Sequence, residues 1–158
     1  MPWLTRRSAE WSLLVVVILV LMGVFGQQIR AVQGQAERAA IKTTLGALRT
    51  ALVIDHLQSA AGQKGKTVAS PQRNPFLLLD HLPANYAGVL GSLKVDTVPA
   101  GNWVFDAYCN CIGYGPMYPY ALETGSDDRM LWFRVSAQAG PLTIAPMHTY
   151  RWQGDVID

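Results

Sequence analysis

The pattern of apolar and polar residues predicts one long helix at the start of the chain. An unbroken apolar run, WSLLVVVILVLMGVFG, extends from Trp11 to Gly26, and no proline follows as far as Gly62. At about 1.5 Å per residue the run rises only about 24 Å, short of a hydrocarbon core of about 30 Å, so flanking residues are expected at membrane depth. We therefore predict a transmembrane segment over 11–29 and an extramembrane continuation over 30–62.

Beyond the apolar run, the predicted helix carries a single stripe of large apolar side chains. They recur at four, three and four residues, the spacing of one helix face. The stripe consists of Ile41, Leu45, Leu48 and Leu52. We expect this face to pack on a globular head, because an amphipathic helix buries its apolar stripe against the core. The following segment, GQKGKTVASPQRNP, is rich in polar residues, Gly and Pro and predicts a loop.

The rest of the chain predicts a small head of strands. A short helix is expected through FLLLDHL, between Pro75 and Pro83. From Gly101 onward, alternating and aromatic residues predict strands in NWVFDAY, IGYGPMYPYAL, RMLWFRVSA and LTIAPMHTYRW. Short connections favour an antiparallel meander. The strand face expected to pack on the helix consists of Leu131, Phe133 and Val135.

Together these elements predict an α+β fold in a chain of 158 residues. A tail at 1–10 precedes the transmembrane and extramembrane helix, and a head with antiparallel strands occupies 63–158. Roughly 100 residues follow the helix, which is enough for one small domain with its own core.

Charge and motifs argue against several classes of function. The net charge is only +2, and no Lys/Arg cluster provides the basic stripe that nucleic-acid binding needs. His56, His81 and His148 lack the short spacing of a zinc site. No nucleotide-binding or nucleophile motif is present, and His81 beside Asp80 is interpreted as a surface helix end rather than an acid–base pair. We expect no nucleic acid, metal, cofactor or small-molecule substrate, and no enzymatic activity.

Two arginines, Arg6 and Arg7, orient the predicted span. The positive-inside rule places them in the cytoplasm, which leaves the C-terminal head on the other side of the membrane. The alternative is a cleaved secretory signal, with Val24 and Gly26 as the small residues before the cut. Because the helical pattern continues through that site, we favour a retained single-pass anchor.

Glu10 is an ionisable residue directly against the apolar run. A carboxylate at the membrane boundary is a candidate for contact with a cation of another subunit. Arg6 lies four residues earlier, so an ion pair within one helix is an equally simple explanation. Glu10, Arg6 and Arg7 are therefore the assembly candidates, with both explanations open.

The N-terminal features together resemble a known family. Arginines, a glutamate and then LLVVVILVLMGVFG leading into a long helix are similar to the N-terminal helix of type IV pilins and type II secretion pseudopilins. NPFLLLDHLPANYAG, GNWVFDAYCNCIGY and MLWFRVSAQAG resemble the loop and head strands of pilin-like proteins, so the resemblance covers most of the chain. It implies helices bundled in a filament core and partners among pilin-like subunits or pilus and secretion assembly proteins.

One feature departs from that family. Its members are cut by a prepilin peptidase after a glycine that precedes the mature N-terminus, but here no glycine occurs before Gly23. We therefore expect no such processing, and an accessory protein of a pilus such as the mannose-sensitive haemagglutinin type.

Cys109 and Cys111 are the only cysteines, in FDAYCNCIGY between two predicted strands. An oxidising compartment favours a disulfide. In a straight strand their Cα atoms would lie about 7 Å apart, at the disulfide limit, so a bridge requires a bend at Asn110, and asparagine tolerates the αL conformation. The alternative is a C-x-C thiol oxidoreductase site, which lacks a nearby Lys or His to activate a thiol.

Two functions follow from these observations. The first is a structural or assembly component of a type IV pilus or type II secretion-like machine, anchored in the inner membrane. The second is a membrane-tethered periplasmic binding module whose helix is a simple anchor. The resemblance favours the first.

Overall fold

The computed structural model describes residues 3–62, 74–91, 98–124, 129–137 and 142–157, with side chains from residue 10 onward except that of residue 137. The first element, α1, is one α-helix over Trp3–Ala60, as the absence of proline predicts. The chain divides into two compact units, residues 1–36 and 37–158. In the first unit most large apolar side chains are exposed. Among the described residues, α1 is the one helix long and apolar enough to cross a membrane.

The second unit contains strands in two sheets, which together with α1 give the predicted α+β class. The strands are β1 (Tyr86–Leu90), β2 (Trp103–Asp106), β3 (Cys111–Tyr114), β4 (Leu122–Thr124), β5 (Leu131–Ala137), β6 (Leu142–Pro146), β7 (Tyr150–Trp152) and β8 (Asp155–Ile157). Two 3-10 helices cover Pro75–Leu78 and Pro119–Ala121. The larger sheet has the order β1-β2-β3-β5-β6, and the smaller sheet has the order β4-β7-β8.

The larger sheet is mixed, so the prediction of a purely antiparallel head is wrong. β1 runs parallel to β2, with Val89 opposite Phe105, whereas β2, β3, β5 and β6 pair antiparallel. Gly88, at φ 113°, lies where the β1 register is irregular. Parallel strands are joined by a crossover connection rather than a tight turn, so no turn motif in the sequence predicts their pairing.

The short helix before β1 differs from its prediction as well. Asn74 caps it, because the Asn74 Oδ1 accepts a hydrogen bond of 3.0 Å from the backbone N–H of Phe76. Leu79 is already extended, at φ −68° and ψ 144°, so the helix is a single 3-10 turn that ends well before Pro83.

The core of the second unit is formed by α1 and both sheets. The helix stripe of Ile41, Leu45, Leu48 and Leu52 is buried, with at most 2% of any side chain exposed. The same cluster includes side chains from both sheets, among them Trp103, Phe105, Ile112, Leu131, Phe133, Val135, Ile144, Tyr150, Trp152 and Ile157. The alternating stripe of β5 therefore faces the core, while Arg134 between its members is exposed.

Gly113 in β3 offers a test of the packing of this strand against the side chains of Trp132 and Val104 on its two neighbouring strands. An added Cβ would lie 2.6 Å from Cζ3 of Trp132 and 2.9 Å from Cγ2 of Val104. Because contacts this short force Trp132, Val104 or the strand itself to shift, we expect Gly113→Ala to lower the free energy of unfolding by about 1–3 kcal/mol. Urea unfolding of the full chain in detergent, followed by tryptophan fluorescence, measures the change.

Gly46 is the matched control for that substitution. It lies in α1, and a Cβ there would meet no atom within 4 Å. Gly46→Ala is therefore expected to raise the free energy of unfolding by about 0.5–1 kcal/mol, the usual helix-propensity gain. Equal shifts in the two variants would contradict the assigned packing.

Candidate functional site

The carboxylate of Glu37 on α1 is buried and accepts three hydrogen bonds. The Tyr114 hydroxyl donates to Glu37 Oε1 at 2.9 Å, and the Met117 backbone N–H donates to the same oxygen at 2.6 Å. The Tyr118 backbone N–H donates to Oε2 at 3.0 Å. Only 8% of Glu37 is exposed. The helix is therefore fixed to the segment after β3 through both carboxylate oxygens.

The segment that supplies these donors is itself held in place. The Gly101 N–H donates to the Gly115 carbonyl at 2.6 Å, and the Gly115 N–H donates to the Asn102 carbonyl at 3.1 Å. Pro116 and Pro119 flank the two donor residues and restrict their backbone. Two consecutive N–H groups thus converge on one carboxylate, an arrangement suited to holding an anion.

A second polar contact ties the neighbouring residue of α1 to the smaller sheet. Arg38 forms an ion pair with Asp155 of β8, and the two side chains are 24% and 66% exposed. An ion pair this open to solvent contributes little, typically below about 1 kcal/mol. The arrangement around Glu37 is therefore the stronger polar attachment. Both oxygens of the Glu37 side chain accept hydrogen bonds, so the carboxylate joins α1 to the segment after β3.

The environment of Tyr114 leads to a pH prediction. Burial, then the hydrogen bond to Glu37 and its negative charge, raise the pKa of the Tyr114 hydroxyl above its ordinary value of 10.0. The neutral phenol is favoured in the folded state, so its contribution to stability is present below pH 10 and is lost as the pH rises further. Burial also raises the pKa of the Tyr86 hydroxyl, so ultraviolet titration of tyrosinate should show more than one late-titrating tyrosine, and Tyr114→Phe should remove one of them. If that variant instead removes an early-titrating tyrosine, the assignment is wrong.

A groove of about 440 Å³ lies between α1 and the first 3-10 helix. It is lined by Ala47, Thr50, Ala51, Ile54, Asp55, Gln58, Leu78, Leu79 and Asp80. Its volume falls within the range of small-ligand sites. The lining combines apolar side chains with two carboxylates, so the groove would favour an apolar ligand with a positive group.

The two cysteines lie where the turn after β2 meets β3, with Cys109 in the turn and Cys111 as the first residue of β3. Cys109 and Cys111 are joined by a disulfide with their Cα atoms 5.2 Å apart, and Asn110 between them has φ 56°. The Asn110 Nδ2 donates to the Val135 carbonyl at 2.8 Å, which attaches the turn to β5. The bend at Asn110 that the sequence required is thus present in the left-handed region.

The remaining predicted site residues are exposed or have side chains outside those described. Glu10 is an exposed residue of α1. Arg6 and Arg7 are also in α1, but their side chains lie outside those described, so the assembly hypothesis for the three residues stays a prediction. His56, His81 and His148 are exposed. Over the part of the chain that the structure describes, no group of three His, Cys, Asp or Glu side chains could hold a metal ion.

Sequence reasoning missed Glu37, although a signal was present. Glu37 stands four residues before Ile41, so it continues the buried stripe by one helical turn with a carboxylate. A charged residue in register with an apolar stripe indicates a buried polar contact. Its donors lie 77 to 81 residues away in the chain, so their identity had no local signal.

We find no match for the chain among models of protein families, among curated proteins or among solved structures.

Proposed function

We propose that the protein is a structural or assembly component of a type IV pilus or type II secretion-like machine. In this proposal α1 anchors it in the bacterial inner membrane with its N-terminus cytoplasmic, and the periplasmic head acts through contacts with other proteins rather than through catalysis. The pilin-like resemblance of the sequence supports the choice of machine.

The observation that carries the proposal is that a single helix, α1, contains both the apolar run and part of the core of the head. One helix, Trp3–Ala60, includes an exposed apolar run and also the buried stripe and Glu37 of the second unit. A simple tether needs only the apolar run and a flexible linker. A helix that also supplies the core of a head favours a role in which the membrane segment and the head act together.

The groove beside α1 favours the second candidate, a membrane-tethered binding module. Ile54 and Leu78 give it an apolar lining, while Asp55 and Asp80 supply charge. In that case the head would bind a ligand, and the apolar run would contact lipid alone.

Crosslinking in membranes of the native host distinguishes the two. A photo-crosslinking amino acid is placed at Leu13, Ile18 or Leu21, all exposed on the apolar run. We expect crosslinks that mass spectrometry identifies as pilin-like subunits or a polytopic assembly protein. Glu10→Gln should reduce their yield if Glu10 meets a cation of that partner, because a cation left unpaired in a low dielectric is costly.

The same amino acid at Ile54 is the control for the groove. Crosslinks from Ile54, together with none from Leu13, Ile18 and Leu21, would overturn the assembly proposal and support the binding module. An undiminished yield with Glu10→Gln would leave assembly intact but reject the role of Glu10.

A further inference from the structure

Three sulfur atoms meet at one end of the larger sheet. The Met147 Sδ, just after β6, lies 3.6 Å from the Cys111 Sγ, and Cys111 is joined to Cys109. These are both cysteines of the chain and one of its five methionines. The sulfurs come from two places in the sequence, 36 residues apart.

Backbone contacts hold the turn at Asn110, strand β3 and Met147 against β5 independently of the disulfide. The Val135 N–H donates to the Asn110 carbonyl at 3.0 Å, which fixes the cysteine turn on β5. The Met147 N–H donates to the Trp132 carbonyl at 2.9 Å, which fixes the methionine on the same strand. Opening the disulfide would therefore leave the sulfurs close together.

A positive charge is placed on the same sheet face. Arg134 of β5 stands directly opposite Cys111 of β3 in the antiparallel register. Directly opposed residues of an antiparallel pair share one face of the sheet. A complex of two thiolates with a monovalent cation carries one negative charge, which the Arg134 guanidinium would offset.

We propose that Cys109, Cys111 and Met147 form a binding site for a soft monovalent metal ion, Cu⁺, when the disulfide is reduced. Thiolate and thioether sulfurs are the donors that select Cu⁺ over harder ions. In a trigonal complex with metal–sulfur bonds of about 2.3 Å, the sulfurs lie about 4 Å apart. The spacing of 3.6 Å between Met147 and Cys111 is already close to that value.

Reduction opens the site. A dithiol reductant gives two electrons and two protons to the disulfide and becomes a disulfide itself, so the S–S bond breaks and two thiols form. Cu⁺ then replaces the two thiol protons, which are released to water. The oxidised chain lacks the thiolates and does not bind the ion.

The test uses the full chain in detergent, reduced with a dithiol that is then removed without air. Cu⁺ is titrated against a chromogenic Cu⁺ chelator. We expect one ion bound per reduced chain and none per oxidised chain. Met147→Leu should weaken binding by at least about tenfold, the low end of the loss for disturbing a metal site, and Cys109→Ser should abolish it. Met22→Leu, which removes another exposed thioether, should change nothing.

X-ray absorption of the wild-type complex provides a readout that needs no variant. Three sulfur neighbours around copper support the proposal, whereas two sulfurs exclude Met147 and overturn the three-sulfur site. Failure of the reduced wild type to compete with the chelator overturns it as well. The proposal is also overturned if wild type and Met147→Leu bind Cu⁺ with equal affinity while circular dichroism shows that both are folded.

Discussion

Leu48→Asp is expected to unfold the head. Leu48 is fully buried in the cluster that α1 forms with both sheets. A carboxylate there would be desolvated among apolar side chains. Burying such a charge costs several kcal/mol, against a domain stability of about 5–15 kcal/mol. Loss of the cooperative urea transition and rapid digestion of the second unit by protease are the expected results.

Leu57→Asp is the matched control, since it makes the same change on the same helix at a side chain that is 61% exposed. This variant should keep a cooperative urea transition with a midpoint close to that of wild type. Protease resistance that survives Leu48→Asp would show that the stripe had been assigned to the wrong helix face.

Glu37→Ala is expected to produce the second large effect. It removes the acceptor of the Tyr114 hydroxyl and of two backbone N–H groups in a buried site. Each buried donor left without an acceptor costs about 1–3 kcal/mol, and partial access of water lowers the sum, so we expect a loss of about 3–5 kcal/mol. Urea unfolding of the full chain in detergent gives the value from the shift in midpoint at constant slope.

Two variants control for this change. Glu37→Gln keeps an acceptor oxygen but replaces the other with a donor, so an intermediate loss is expected. Glu123→Ala removes an exposed glutamate from β4 and should leave the midpoint within about 0.5 kcal/mol of wild type. If Glu37→Ala behaves like Glu123→Ala, the buried hydrogen bonds do not stabilise the head.

The parts of the fold that sequence predicted are those with a local period. The α1 stripe repeats at helical spacing, and β5 alternates between apolar and other residues, so both buried faces could be derived without a partner. The bend at Asn110 followed from bond geometry alone, because two cysteines separated by one residue cannot be bridged across a straight strand.

The parts it missed depend on contacts between distant residues. LTIAPMHTYRW was interpreted as one strand, yet it contains β6 in the larger sheet and β7 in the smaller. Alternation within a strand does not specify its partner, so it cannot show where a chain changes sheets. The parallel pairing of β1 and the donors to Glu37 were missed for the same reason.

The position of Ile157 in the core has a consequence for synthesis of the chain. Ile157 of β8 is in the same buried cluster as Ile41 of α1. At about 5–20 residues per second, their separation delays closure of the cluster by on the order of ten seconds. The core around the α1 stripe therefore stays incomplete during that interval, until β8 has been synthesised.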